Sequence, residues 1–282
     1  MIDLHIHSTN SDGTNSPSEL LNLAKEKGIH TLAITDHDNI EGSKKAMSEK
    51  VEGITIYSGV ELNAKVDKGQ MHILGYNFDL YNETLNKRLK DLKENSKHNI
   101  LLYVNQLKND FNIVLPQEDI DKILNREGNI GRPLLALLLV KYGYCKSVSD
   151  AFKEHLKDSK VRHMKMWIEK EECIKLINDA GGIAVLAHPF TLKLTNEELR
   201  EEIRYLVSVG LKGIEIVHSR GSEQERKFYK ELAKEFNLIT TGGTDYHGPE
   251  VKPNIELGTG INNNVCLTAE DITFTKLVES RY

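Results

Sequence analysis

Short apolar runs alternate with helical patterns at the start of this chain, and the alternation limits the folds it can adopt. Ile2–Ile6 and Thr31–Thr35 have the character of strands. Between them, Ser16-Pro17-Ser18-Glu19 combines a capping Ser, a Pro at the first helical position and an acid in the first turn, which predicts a helix start. Gly28 ends that helix. Strands that alternate with helices indicate βα units and a parallel sheet.

The same alternation continues to residue 76 and resumes near residue 170, which predicts about seven strands in all. The further predicted strands are Ile54–Val60, Met71–Tyr76, Ile183–Ala187, Gly213–Val217 and Leu238–Thr241. The further predicted helices are Ile40–Lys50, Lys170–Ala180, Asn196–Val209 and Glu223–Phe236. The tail after Pro249 is weakly patterned, and no element is assigned to it.

Residues 82–166 carry helical patterns and little strand signal. Leucines at helical spacing from Leu85 to Leu107 predict a long charged helix. Pro116 and Pro133 are expected to start two more helices, and Val148–Leu156 makes a fourth. We therefore predict an α/β domain formed by residues 1–81 and 167–282, interrupted by an all-helical insertion at 82–166.

The composition is that of a soluble globular protein. Its 282 residues suffice for one α/β barrel or two modest domains. The formal charge is 37 − 42 = −5, so we expect no global basic surface for a DNA duplex. No apolar run approaches the roughly 20 residues that span a membrane, and Met1–His7 reads as a strand rather than a secretory signal. Cys145, Cys173 and Cys266 form no CxxC pair, which argues against a disulfide framework and favours a cytoplasmic location.

Histidines and carboxylates close nearly every predicted strand. His5 and His7 lie two residues apart on the first strand, so they share a face and form a natural pair of metal ligands. The catalytic groups of parallel barrels sit at the carboxyl ends of the strands. The comparable residues elsewhere are Asp12, Asp36, His37, Asp38, Glu61, His72, His188, Asp245 and His247. Imidazoles and carboxylates without a thiolate suit Mn²⁺, Fe²⁺ or Zn²⁺, with Mg²⁺ a weaker fit.

Several separated motifs resemble the PHP (polymerase and histidinol phosphatase) family in its own order. They are Asp3-Leu4-His5-Ile6-His7-Ser8, Ser11-Asp12-Gly13, Thr35-Asp36-His37-Asp38, Gly59-Val60-Glu61, His72-Ile73-Leu74-Gly75-Tyr76, Ala187-His188-Pro189 and Gly243-Thr244-Asp245-Tyr246-His247-Gly248. The resemblance implies a distorted (β/α)₇ TIM-like barrel that binds up to three metals. It implies the ligands His5, His7, Asp12, His37, Glu61, His72, His188, Asp245 and His247. Glu61 would bridge metals, and Asp36 and Asp38 would orient neighbouring imidazoles.

The insertion resembles that of the nucleoside 3′,5′-bisphosphate phosphatases of this family, some of whose relatives are 5′-to-3′ exoribonucleases. The similarity lies in Gly131-Arg132-Pro133 and in Gly143-Tyr144, and it implies a domain that caps the substrate. By resemblance, Arg132 would contact the substrate phosphate, a role that suits a bidentate guanidinium. Leu134 stands where many relatives have His, which leaves the exact substrate open. Arg220 is a second candidate phosphate contact, and His218 could protonate the leaving group.

The predicted function is therefore metal-dependent hydrolysis of a nucleotide phosphate monoester in the cytoplasm, with the 3′-phosphate of a nucleoside 3′,5′-bisphosphate ranked first. Two or three divalent ions, Mn²⁺ foremost, would activate the attacking water. The alternatives are a 5′-to-3′ exoribonuclease acting on short RNA, a histidinol-phosphate-type phosphatase and a non-catalytic metal-binding domain. For the exoribonuclease, Lys157, Arg162 and Lys165 are candidate contacts with the RNA strand.

Overall fold

The computed structural model describes residues 1–126, 128, 130–157, 161 and 167–275. The backbone divides into two compact units. The first combines Met1–Asn86 with Trp167–Tyr282, and the second is Lys87–Met166. The predicted mixed α/β fold with parallel strands is confirmed in the first unit.

The described elements are numbered in chain order. The strands are β1 (Ile2–Ile6), β2 (Thr31–Ile34), β3 (Thr55–Tyr57), β4 (Gly59–Ala64), β5 (Met71–Tyr76), β6 (Ile183–Leu186), β7 (Gly213–His218) and β8 (Ile239–Gly243). The helices are α1 (Pro17–Glu26), α2 (Glu41–Glu49), α3 (Glu83–Phe111), α4 (Gln117–Leu124), α5 (Arg132–Lys141), α6 (Val148–Glu154), α7 (Lys170–Asp179), α8 (Asn196–Ser208) and α9 (Glu223–Glu235).

The strands of the first unit form two sheets. One has the order β1-β2-β3 and is parallel throughout. The other has the order β4-β5-β6-β7-β8, in which β5 is antiparallel to both of its neighbours. The expectation that β5 would be parallel was therefore wrong. Residues 65–70 connect β4 to β5, and this is too short for the crossover of about a dozen residues that parallel strands require.

The single strand predicted at Ile54–Val60 is two strands that belong to different sheets. Ser58 lies between β3 and β4, where its hydroxyl donates to the carbonyl of Phe78 and accepts from the Phe78 amide, both at 2.8 Å. These bonds fix the chain at the point where it leaves one sheet for the other. The prediction missed the break because the apolar run continues through it.

Isolated bridges connect the edges of the two sheets on both sides. Ile6 bridges to Tyr246, which joins the end of β1 to the segment after β8. His37 bridges to Glu61, which joins the segment after β2 to β4. The described strands thus pair as two sheets linked by bridges, and closure into one barrel stays a prediction.

The tail beyond Pro249 covers the first unit at the start of β1 and beside β5. The amide of Ile2 donates to the carbonyl of Leu267 at 2.9 Å. The buried ring of Phe274 lies 5.1 Å from the rings of both Tyr57 and Tyr76, measured between centroids. The sequence pattern did not predict this packing because residues 250–273 of the tail contact the sheets through turns and isolated bridges, which leave no periodic signal.

The described part of the second unit is helical, from the part of α3 after Asn86 through α6. Tyr103, Leu107, Leu135 and Leu139 are among the buried residues of its apolar core. The helix predicted to start at Pro133 starts one residue earlier, at Arg132. Of the three candidate RNA contacts, Lys157 is exposed, and Arg162 and Lys165 lie outside the described residues. The substrate-capping role of this unit stays a prediction.

In the part of the chain that the structure describes, every helix is too short or too polar to span a bilayer.

Candidate metal centre

Nine histidine and acidic side chains converge where β1, β2, β6 and β8 end. They form overlapping groups in which one nitrogen or oxygen atom from each residue lies within 4.8 Å of the others. The groups are His7, Asp12, His37 and His247; His5, His7 and Asp245; His5, Glu61 and His188; and His37, Glu61 and His72. These are the nine residues that the resemblance implied as ligands. His72 reaches this edge from the start of β5 because that strand runs antiparallel.

The fully buried carboxylate of Glu61 lies at the middle of the cluster, on β4. Its Oε2 atom lies 3.1 Å from His7 Nε2, 3.2 Å from His5 Nε2 and 3.3 Å from His37 Nδ1. Its Oε1 atom lies 2.7 Å from His72 Nδ1 and 2.9 Å from His188 Nε2. One carboxylate therefore faces two sets of imidazoles through its two oxygens, as a bridging ligand would.

Asp245 and Asp12 complete the cluster. The Oδ1 atom of Asp245 lies 3.3 Å from His7 Nε2 and 3.4 Å from His247 Nδ1. The Oδ1 atom of Asp12 lies 3.3 Å from His247 Nε2, and its Oδ2 atom lies 3.9 Å from His37 Nε2. Three carboxylates are thus interleaved with imidazoles from several strands.

Five atoms that face the interior of this cluster are buried without a hydrogen-bond partner. They are His5 Nε2, His7 Nε2, Asp12 Oδ1, His37 Nδ1 and Glu61 Oε2. Buried polar atoms normally have a partner because desolvation without one is costly. Divalent metal ions would supply that partner, and the nitrogen and oxygen donors fit them. The residues present therefore fit a divalent metal centre.

Burial and mutual charge set the protonation of the cluster. Burial alone would raise the pKa of Glu61, but the imidazoles of His37, His5 and His72 outweigh burial and hold that pKa well below its ordinary value. Burial lowers the pKa of His37 to about 3 and that of His188 to about 4. At neutral pH these groups are a carboxylate and two neutral imidazoles, which are the forms that bind metals.

Unusual backbone conformations aim two of these side chains. His188 follows β6 with φ of 24°, and Asp245 follows β8 with φ of 56°. A positive φ is uncommon outside glycine because the Cβ atom crowds the backbone. Gly243 lets β8 approach β1, since a Cβ at this position would lie 2.4 Å from the amide nitrogen of His5. The positive φ angles of His188 and Asp245 direct these side chains into the cluster, and Gly243 allows β8 to lie close to β1.

Asp36 and Asp38 contact the cluster less directly than expected. Asp36 accepts hydrogen bonds from the Ser8 amide at 2.7 Å and from the Ser11 hydroxyl at 2.5 Å. The Ser11 hydroxyl in turn lies 3.4 Å from His7 Nδ1, so Asp36 acts on that imidazole through Ser11. Asp38 accepts from the backbone and side-chain nitrogens of Asn63, at 3.1 and 2.8 Å. An imidazole-orienting role for Asp38 stays a prediction.

Sequence reasoning missed two residues at the site. Glu215 lies on β7, and its Oε1 atom is 2.9 Å from His5 Nδ1. An acid inside the apolar run of β7 was a signal that could have identified it. Lys252 places Nζ 2.5 Å from Oδ2 of Asp245. No pattern marked Lys252, because its position depends on the irregular tail.

His218 lies beside the cluster, and Arg220 lies at its surface. The Nε2 atom of buried His218 is 3.2 Å from Oδ2 of Asp245, and its Nδ1 atom accepts from the Arg220 amide at 3.0 Å. The exposed Arg220 guanidinium lies over the ring of Phe190, 5.5 Å from the centroid. The structure thus brings His218 to the cluster and leaves the Arg220 side chain on an aromatic ring.

Arg132 belongs to the second unit and is described there alone. Its guanidinium lies 5.6 Å from the ring centroid of Tyr103 and 5.4 Å from that of Phe152. One of its nitrogens donates to the carbonyl of Leu156 at 3.2 Å. These contacts hold the start of α5 against α3 and α6. A contact between Arg132 and substrate phosphate stays a prediction.

Comparison with known proteins agrees with this centre. A model of the PHP domain matches residues 3–219. The chain belongs to the PHP domain family. That match covers more than half of the chain and includes seven of the nine clustered residues, with Asp245 and His247 following it.

Relatives of similar length carry two kinds of name. A Haemophilus influenzae protein named 5′-3′ exoribonuclease is 31% identical over 90% of this chain and 94% of its own length. An Escherichia coli protein, 5′-3′ exoribonuclease Rnm, is 30% identical over 91% of this chain and 87% of its own. The 3′,5′-nucleoside bisphosphate phosphatase of Chromobacterium violaceum is 28% identical over 88% of this chain and 87% of its own.

Solved structures show the same fold. A predicted metal-dependent phosphoesterase from Bifidobacterium adolescentis has a TM-score of 0.79 at 27% identity, and the match covers 96% of both chains. An amidohydrolase from Chromobacterium violaceum with bound sulfate has a TM-score of 0.78 at 27% identity, and the match covers 88% of both chains. Together with the clustered ligands, these comparisons identify a PHP-family hydrolase, a metal-dependent phosphoesterase.

Proposed function

We propose that this phosphoesterase removes the 3′-phosphate of a nucleoside 3′,5′-bisphosphate, using two or three divalent ions. The observation that carries the proposal is the cluster around Glu61, in which five buried nitrogen and oxygen atoms lack hydrogen-bond partners. Nine candidate ligands exceed what one ion needs, which supports more than one metal. Mn²⁺ is our first choice from the mixed nitrogen and oxygen donors, with Fe²⁺, Zn²⁺ and Mg²⁺ as alternatives.

When bound, the metals would activate a water for attack on phosphorus and polarise the phosphoryl oxygens. The chain supplies the rest. Glu61 holds its two oxygens between the imidazole sets. Lys252 and His218 both approach Oδ2 of Asp245, on the side of that carboxylate away from His7. These groups are positioned to offset substrate charge and, at His218, to give a proton to the leaving oxygen.

The substrate assignment has support from charge and from one relative. The chain carries a formal charge of −5, which disfavours a long polyanion and favours a small phosphorylated ligand. The Chromobacterium violaceum relative is named for this bisphosphate activity. Arg132 and Arg220 are the cations that we propose as contacts with the phosphates of the substrate.

The test supplies purified protein with Mn²⁺, Fe²⁺, Zn²⁺ or Mg²⁺ and adenosine 3′,5′-bisphosphate, and it follows release of inorganic phosphate and adenosine 5′-phosphate. Histidinol phosphate is the comparison substrate for the other phosphatase class. We expect release from the bisphosphate and little from histidinol phosphate. Turnover of histidinol phosphate alone would overturn the substrate assignment. Turnover of neither substrate, and none of the oligoribonucleotide described below, with metal bound, would support a non-catalytic metal-binding domain.

A 5′-to-3′ exoribonuclease is the second candidate, supported by the names of the relatives from Haemophilus influenzae and Escherichia coli. The same centre would then cleave a phosphodiester at the 5′ end of a short RNA. The assay compares a 5′-phosphorylated oligoribonucleotide with its 5′-hydroxyl form and resolves the products by length. Stepwise release of mononucleotides at a higher kcat/KM than for the bisphosphate would make this the principal activity.

We also propose that the two sheets form the distorted barrel of the family. The bridges from Ile6 to Tyr246 and from His37 to Glu61 support this arrangement, since they lie at the two seams between the sheets. Both bridges involve residues beside or within the cluster. The seams would therefore be held together by the same segments that supply the ligands.

A further inference from the structure

We propose that Glu215 is a positioning residue that fixes two metal ligands, His5 and His188, from two different strands. The proposal rests on the metal centre of the proposed function. Glu215 is itself no member of the clustered ligand groups. It lies on β7, and its side chain is 1% exposed.

The first contact sets the tautomer of His5. Glu215 Oε1 lies 2.9 Å from His5 Nδ1, and both side chains are buried. An ionised carboxylate only accepts hydrogen bonds, so Nδ1 must carry the ring proton. A metal ion binds the neutral imidazole, in which Nε2 then carries the lone pair, and Nε2 lies 3.2 Å from Glu61 Oε2. Glu215 thus directs the metal-binding nitrogen of His5, Nε2, toward the centre.

The second contact holds the backbone of His188. Glu215 Oε2 accepts a hydrogen bond from the His188 amide at 2.7 Å. This residue has φ of 24°, a conformation that costs energy for any side chain with a Cβ atom. The resulting turn directs His188 Nε2 to 2.9 Å from Glu61 Oε1. A charge-assisted bond at this amide therefore stabilises the strained turn that presents the ligand.

Both contacts need the length and the charge of glutamate. The two oxygens each meet an N–H donor, one from an imidazole and one from the backbone. Glutamine would turn an NH₂ group toward one of these donors, so at least one bond would be lost. Aspartate is shorter by one methylene and could not keep both bonds without movement of β7. A positioning role therefore predicts that Glu215→Gln and Glu215→Asp both weaken the centre.

Tyr76→Phe is the matched control. The buried Tyr76 hydroxyl donates to the carbonyl of Leu4 at 2.8 Å, next to His5 in the chain. Its loss removes a buried hydrogen bond from β1 without removing an imidazole contact. We expect this variant to unfold at a lower temperature and to keep the metal affinity of the wild type.

The experiment titrates the metal-free full chain with Mn²⁺ and with Zn²⁺ and measures affinity and stoichiometry, with circular dichroism and unfolding temperature recorded for each variant. We expect Glu215→Gln to lower metal affinity roughly 10–100-fold with its secondary structure intact. An affinity equal to that of the wild type would overturn the proposal. The Tyr76→Phe variant provides the second criterion. If it shows a similar drop in unfolding temperature and loses as much metal affinity as Glu215→Gln, the effect of Glu215→Gln is one of general stability and the proposal is also overturned. If the wild type itself binds no metal, the proposed centre fails instead.

Nitrogen NMR of the histidine side chains gives a second readout, which is taken on the wild type and does not require a Glu215 variant to fold. In the zinc-loaded wild type, we expect His5, assigned by its missing signal in a His5→Asn variant, to carry its single proton on Nδ1. A His5 proton on Nε2 would overturn the proposal, whatever the affinity of the variants.

Discussion

Glu61 is the side chain on which the centre depends most. Its buried carboxylate faces five imidazoles, and its Oε2 atom has no hydrogen-bond partner. A carboxylate in this environment stays ionised because the imidazoles outweigh the effect of burial on its pKa. Its negative charge attracts a cation to the position that the surrounding imidazole nitrogens also face.

Replacement of Glu61 by Gln should remove metal binding and phosphoesterase activity together. The amide keeps the size of the side chain but supplies neither charge nor two equivalent acceptors. We expect metal content to fall and kcat/KM to drop by about 100-fold or more, of the order seen when a key charge-stabilising group is removed. Metal analysis and phosphate release measure this. Glu169→Gln, which removes an exposed partner of Lys65, is the control and should change neither.

Lys252 should matter to catalysis rather than to assembly. Its ammonium lies 2.5 Å from Oδ2 of Asp245 and carries positive charge at the edge of the cluster. For Lys252→Gln we expect metal content to be retained and kcat/KM to fall about tenfold or more, because a charge that offsets the substrate phosphate is lost. Unchanged kinetics with full metal content would remove Lys252 from the substrate site.

The sequence predicted the nine clustered residues more completely than the residues that hold them in place. His5 and His7 were recognisable because their spacing on an apolar strand puts both on one face. Lys252 was not, because a cation that arrives from an irregular tail leaves no periodic signal. Glu215 was visible in the sequence as an acid inside an apolar strand. Its role became clear only from its contact with His5.

At the scale of elements, helix starts and strand positions followed from local chemistry. Ser16 caps α1 and forms a reciprocal pair with Glu19, as its sequence indicated. The direction of each strand, in contrast, could not be predicted from the local sequence. β5 has the apolar pattern of a parallel strand, and its reversal depends on the short connection from β4, which sequence pattern alone did not weigh.

Gly243→Ala tests the approach of β8 to β1. The added methyl group would lie 2.4 Å from the His5 amide nitrogen and 2.5 Å from its Cβ atom, so one strand must move. We expect a loss of about 1–3 kcal/mol in unfolding free energy, typical of overpacking, together with weaker metal binding because Asp245 follows the displaced strand. Denaturant unfolding and metal titration measure the two effects.

Gly53→Ala is the comparison for that variant. Gly53 has φ of 81°, and nothing lies within 4 Å of a Cβ placed there. Its substitution should cost about 1–2 kcal/mol through backbone conformation alone, because a residue with a Cβ atom disfavours a positive φ. Metal affinity should stay at the wild-type value. If both variants lost affinity equally, the close approach of β8 to β1 would not be what supports the centre.

At the scale of the whole molecule, the nine candidate ligands all belong to the first unit, while α4, α5 and α6 belong to the second. The metal centre is therefore a property of the α/β unit. The helical unit has an apolar core of its own, which includes Tyr103 and Leu135. The sequence alone left the substrate open, because the resemblance implied a His where this chain has Leu134.

Removal of metal should lower the unfolding temperature of the protein. A ligand that binds only the folded state stabilises it by RT ln(1 + [L]/Kd), about 2.7 kcal/mol at a free metal concentration of 100 Kd. We expect thermal unfolding to shift upward when Mn²⁺ is added to metal-free protein and to return when a chelator is added. No shift at saturating metal would mean that the ion does not bind the folded centre.

The order of the ligands along the chain has a consequence for synthesis. Six of them, from His5 to His72, precede the helical unit, and His188, Asp245 and His247 follow it. A nascent chain on the ribosome therefore exposes most of its imidazoles well before the remaining ligands have emerged. If all nine candidate residues bind metal, the complete centre can form only after residue 247 has left the exit tunnel, so its completion is a late step in the biogenesis of this enzyme.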